Sequence, residues 1–163
     1  MKLIYSTLII CLTWSAAFGQ DPKTRAEVTI QATVMDHLEM FTLANCDVGT
    51  VVPSAGTLRL NPLTDSGAGI IKILGRPATN VQVTYSSQVQ MVNVISNTEL
   101  LVTYSVSGNK YNDQSASEIF TTNPQNVTLN NEGEYYLYIG CEFSMENLVS
   151  GQYDGDFVIE VDY

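Results

Sequence analysis

The sequence predicts an all-β chain folded as a sandwich, and three observations lead there. Apolar residues recur with period two almost throughout; no stretch of about ten residues carries a convincing 3.6-residue repeat; and glycine, proline, asparagine and aspartate punctuate the chain at short intervals. Val28, Ile30, Ala32 and Val34 alternate with Glu27, Thr29, Gln31 and Thr33, so a strand over 27–34 has one dry and one wet face. Residues 38–43 follow. A turn-rich stretch at 53–56 precedes a short strand at 57–60, then a polar loop at 61–67 and a strand at 70–74. Gly75, Arg76 and Pro77 break the pattern before a strand at 81–85. A second group is expected at 89–95, 100–106, 127–129, 135–143 and 157–163. Gly108 and Asn109 read as a hairpin or loop, Asn130 to Gly133 as a turn, and Asp154 with Gly155 as a tight reversal needing positive φ. About eight to ten short antiparallel strands at this spacing suggest one sandwich domain over 27–163, preceded by a polar segment at 20–26. No internal repeat divides it.

The chain opens with Lys2, a mostly apolar run to Trp14, and small residues Ala17 and Gly19 before Gln20, the pattern of a cleaved signal peptide over 1–19. A spanning helix needs about 20 apolar residues, and Thr7, Thr13 and Ser15 interrupt a shorter run. The expected location is therefore the cell surface or the extracellular space, reached through the periplasm, with no membrane span in the mature chain.

The formal charge is −10 over 163 residues; removing 1–19 takes away Lys2 and leaves 144 residues with a charge of −11. No lysine or arginine cluster exists to follow a phosphate backbone, so nucleic acid is not an expected partner. No cofactor, metal or small-molecule substrate is expected either. The single histidine, His37, has no sequence neighbour that makes it a general base, and no serine sits in a nucleophile elbow, so the chain reads as non-enzymatic. Asp154 and Asp156, or Asn112 and Asp113, lack the spaced ligands of a calcium loop and read as turns.

Two cysteines remain in the mature chain, Cys46 and Cys141, 95 residues apart. In an oxidising compartment they form a disulfide or stay as two buried thiols. Tyr135, Leu137, Ile139, Cys141 and Phe143 share one face of their strand. Tyr136 and Tyr138 therefore point the other way, either as a contact surface or as ordinary cross-strand packing.

Two stretches go beyond generic β patterning. Asp47-Val48-Gly49-Thr50-Val51-Val52-Pro53 with Gly56-Thr57-Leu58, then Ile73-Leu74-Gly75-Arg76-Pro77 and Val81-Gln82-Val83-Thr84, resembles the front half of a bacterial pilin-like family. Tyr138-Ile139-Gly140, followed by Gly151-Gln152-Tyr153-Asp154-Gly155-Asp156 and an alternating strand ending at Tyr163, resembles its closing signature. The family is catalogued as domain of unknown function four-four-zero-two and is similar to chaperone-usher fimbrial subunits. Val48 and Cys141 depart from its pattern, which usually has phenylalanine and glycine there.

The resemblance implies an immunoglobulin-like sandwich whose last strand, with Phe157, Ile159, Val161 and Tyr163, borders an open groove. Such a subunit takes a strand from a periplasmic chaperone and later, at an usher, from another copy of itself. Val28, Ile30, Ala32 and Val34 are then the donor residues; the same segment also reads as the domain's own first strand. Three functions compete: a fimbria-like adhesive subunit, a monomeric secreted module binding a glycan or protein, and a small outer-membrane barrel. The barrel needs strands of about ten residues throughout, and 57–60 and 127–129 are too short for that.

Overall fold

A computed structural model describes residues 38–49 and 55–163. The described residues contain strands and no helix, as the alternation predicts. Eleven strands form two antiparallel sheets. The larger holds β1 (Glu39–Ala44), β2 (Thr57–Leu60), β3 (Gly69–Leu74), β5 (Gln88–Asn93), β6 (Glu99–Asn109), β7 (Glu118–Ile119), β9 (Glu134–Ser144) and β10 (Tyr153–Asp154). Its order is β1-β3-β9-β6-β5-β10, with β2 also on β9 and β7 on β6. The smaller holds β4 (Asn80–Tyr85), β8 (Gln125–Thr128) and β11 (Ile159–Asp162) in the order β11-β4-β8.

The core lies between the sheets. Ile73, Val106, Leu137 and Ile139 from the larger sheet meet Val81, Val83 and Val127 from the smaller, and these seven side chains are buried. Alternation explains this on β4, where Val81 and Val83 turn inward while Asn80 and Gln82 stay exposed. Asn130 shapes the turn into β9: its side-chain oxygen accepts from the Glu132 and Glu134 amides at 3.0 and 2.7 Å.

β9 departs from simple alternation. It runs 11 residues between β3 and β2 on one side and β6 on the other, and it is buried on both faces from Leu137 to Cys141. Its outer face is covered by the segments 61–67 and 109–117. Gln114 fastens these to each other, its side-chain amide donating to the Pro62 and Asp65 carbonyls at 3.0 and 2.9 Å. Ser107 and Ser117 share a buried hydrogen bond of 2.8 Å beneath them. The switch from β2 to β3 as neighbour falls at Gly140, on which Leu60 and Pro62 rest directly.

Two local expectations are corrected, and two short strands are added. Gly108 and Asn109 do not form a hairpin but continue β6 beside Leu137 and Tyr136. Glycine serves there because the rings of Tyr135 and Phe120 occupy the space of a side chain. Asp154 belongs to β10, paired with Val92, so it does not open a tight reversal; Gly155 packs on Met91, and the positive φ falls at Gly151 (148°). β7 and β10, two residues each, carry too little alternation to be seen in sequence.

Candidate functional site

The closing strand is an edge. β11 pairs only with β4 among the described residues, in the register Ile159↔Tyr85 to Asp162↔Gln82, and no described strand pairs with its other side. Ile159 and Val161 are half-buried against the core, while Glu160 and Asp162 are exposed. Phe157 precedes the strand and packs on Tyr104 with ring centroids 4.4 Å apart. Tyr163 follows it; its hydroxyl accepts from the Arg76 amide at 3.1 Å, and the Arg76 guanidinium lies 5.3 Å from its ring. Val28, Ile30, Ala32 and Val34 lie outside the described residues, as do the leader 1–19, the segment 20–26 and His37.

A second edge belongs to the larger sheet. Among the described residues β1 pairs only with β3, and Met40 and Phe41 are each 44% exposed and Leu43 51%. Met40 stands opposite Ile73, a core residue, so its exposure marks a place where the core face lacks cover. The two edges meet at Gly75, whose missing side chain leaves room for Leu38 Cδ1 and Tyr163 Oη. Sequence reasoning read β1 as an ordinary strand; Met40, Phe41 and Leu43, three large apolar residues with one threonine among them, were the signal of a strand bare on both faces.

An apolar cleft of about 450 Å³ opens on the core face of the larger sheet, lined by Met91, Val102, Tyr104, Cys141 and Phe143 and flanked by Val48 and Leu148. Cys46 and Cys141 both face it as free thiols, Cys46 exposed and Cys141 buried. The two thiols are hydrogen-bonded. That bond is the main cause bringing Cys46 down to about 7, helped by a backbone hydrogen bond at Gly69 and opposed by burial and the Asp47 charge. Cys141 is raised, first by the same bond and then by burial.

Of the two readings of the tyrosine pair, a contact surface or ordinary cross-strand packing, Tyr138 fits the second. Tyr138 is fully buried, its hydroxyl 3.1 Å from Asn112 Oδ1, because the 109–117 segment covers the outer face of the strand. Tyr136 does stay partly open. Its hydroxyl donates to Glu134 Oε2 at 2.9 Å, and Lys72 sits 5.8 Å from its ring while pairing with Glu134.

Among the described residues no group of three or more His, Cys, Asp or Glu is placed to hold a metal ion, and no helix is long and apolar enough to cross a membrane. No protein-family model matches the chain, that of the pilin-like family included. No curated protein matches it. Among solved structures the chain is similar to the CsuC-CsuE chaperone-tip adhesion subunit pre-assembly complex from archaic chaperone-usher Csu pili of Acinetobacter baumannii. The identity is 16% and the TM-score 0.34, over 78% of this chain and 40% of that one. An overlap of that quality assigns no function.

Proposed function

We propose that the chain is an exported, fimbria-like subunit that assembles by strand exchange, with β11 as the accepting edge and residues 28–34 of another copy as the donated strand. One observation carries this reading: among the described residues each sheet has an end strand, β1 or β11, with no hydrogen-bonding neighbour on its outer side and with incompletely covered apolar side chains. An added strand supplies backbone bonds and apolar cover together, and the alternating Val28, Ile30, Ala32 and Val34 have the periodicity to do both. Exposed edges of this kind aggregate, so a periplasmic chaperone that lends a strand before assembly at an usher is the partner the reading requires.

The test uses a chain lacking residues 20–35, supplied with a peptide of that sequence. Strand exchange predicts that the shortened chain is unstable or aggregated alone, that the peptide rescues it, and that the intact protein forms polymers. A shortened chain that stays folded, monomeric and indifferent to the peptide overturns the proposal and leaves the secreted glycan- or protein-binding module.

A further inference from the structure

We propose that Cys46 and Cys141 are a modification site for a disulfide-bearing oxidant, with Cys46 as the entry thiol and Cys141 as the resolving thiol that closes an intramolecular bond. The order follows from where the two sulfurs sit. Cys46 lies in the connection between β1 and β2, is exposed, and its backbone is held by the Asp47 amide donating to the Gly67 carbonyl at 2.8 Å. Cys141 is 5% exposed, in the middle of β9, between Leu60 and Tyr104. Gly69 of β3, the strand beside β9, lets the Cys46 connection come close: a Cβ there would stand 3.3 Å from Cys46 Cβ, and Cys46 and Cys141 line the same cleft. An incoming oxidant can reach only the exposed thiol, and the second sulfur waits behind it.

The chemistry balances with one oxidant. The Cys46 thiolate, its proton given to solvent, attacks one sulfur of the oxidant's disulfide; that S–S bond breaks and the other sulfur leaves as thiolate. Cys141 loses its proton and attacks Cys46 Sγ, forming the Cys46–Cys141 bond and expelling the oxidant's remaining sulfur. The two cysteines lose two electrons and two protons, and the oxidant becomes two thiols. The bond would fasten the Cys46–Gly49 connection to β9 at the mouth of the apolar cleft, whose lining includes both cysteines. The step requires an oxidant and no fibre, so it stands or falls apart from strand exchange.

The test treats the full chain, carrying Cys11→Ala so that a retained leader adds no thiol, with oxidised glutathione under native conditions, and reads products by intact mass and thiol count. The expected wild-type product lacks both thiols and carries no glutathione. Cys141→Ser should retain one glutathione, on Cys46, whereas folded Cys46→Ser should retain none. A chain that keeps both thiols, that keeps glutathione on Cys46 with Cys141 present, or whose Cys46→Ser variant is modified as fast as Cys141→Ser overturns the proposal. Circular dichroism of each variant separates a folding failure from a failure of the chemistry, and the Cys→Ala pair repeats the test if either serine variant unfolds.

Discussion

Gly140→Ala is a sharp test of how β9 is sealed. Replacing a strand glycine by alanine ordinarily stabilises by about 0.5–1 kcal/mol, because the unfolded chain loses freedom. Here the opposite is expected. A Cβ at Gly140 would overlap the Leu60 carbonyl oxygen and lie 2.6 Å from Pro62 Cδ and 2.8 Å from Pro62 N. Two of these three atoms are backbone, and the segment they belong to is held by the Asn61 and Asp65 turn bonds and by Gln114, so it cannot yield cheaply. Overpacking against backbone costs about 1–3 kcal/mol or more, which outweighs the entropic gain and leaves a net loss of about 2 kcal/mol. Urea denaturation followed by far-ultraviolet circular dichroism measures it. The control is Glu142→Ala, two residues along the same face, whose ion pair with Arg59 is exposed and long at 3.7 Å and should matter by less than about 1 kcal/mol. An unchanged or raised midpoint for Gly140→Ala would show that the 61–67 segment is not seated on β9 and would refute the account of the covered face.

Four further outcomes follow from the packing. Tyr138→Phe removes the hydroxyl next to Asn112 and should cost about 1 kcal/mol in chemical denaturation while leaving any partner binding untouched, since the ring is buried; lost binding with unchanged stability would contradict that placement. Ile73→Ala empties a fully buried site opposite Met40 and Tyr135 and should cost about 2–5 kcal/mol by the same assay, and a loss under 1 kcal/mol would mean that this part of the core is loosely packed. The hydrogen bond from Lys72, then that from Tyr136, holds the Glu134 carboxyl below its usual range; its folded value lies under the unfolded one, so its contribution is present above about pH 4.3 and disappears as pH falls through the folded value. The stability difference between wild type and Glu134→Gln should therefore shrink between pH 7 and pH 3, and a difference constant over that range would exclude the linkage. If Cys46 and Cys141 bond, closing 95 residues should raise stability by about 4–5 kcal/mol, read as a reductant-sensitive melting temperature that Cys46→Ala abolishes.

The strands were legible because their determinants are local. At 57–60 the expected and observed limits coincide, and at 70–74 and 81–85 they differ by one residue, because period-two alternation bounded by glycine, proline or asparagine is a property of the segment itself. Which of its two readings Tyr138 takes was not legible, for the complementary reason. Alternation assigns a side chain to a face, and only the remainder of the fold decides whether that face is wet; the Gln114 bonds that bring 109–117 over β9 join residues about 50 positions apart. Cys46 and Cys141 show the same limit from the other side. Their chemistry could be named from sequence, but their proximity depends on β3 lying beside β9, a pairing between residues about 60 to 70 positions apart.

What β1 and β11 lack among the described residues bears on the kind of partner proposed for them. A small apolar ligand could fill the cleft beside Tyr104 and Phe143, yet it would leave the outer hydrogen-bonding groups of β1 and β11 as they are. Water can satisfy those groups, but it cannot also cover Met40 on the side it shares with Ile73, where nearly half of its surface stays open. Soluble domains usually blunt such an edge with charge, proline or a bulge. β1 has its register shift only between Thr42 and Ala44, after the exposed Met40 and Phe41, and its one charged residue is Glu39 at the start. The unprotected part is thus the part with the most apolar surface. An extended segment that hydrogen-bonds and alternates in the same step answers both deficits at once, and this is the physical reason for placing strand addition ahead of ligand binding.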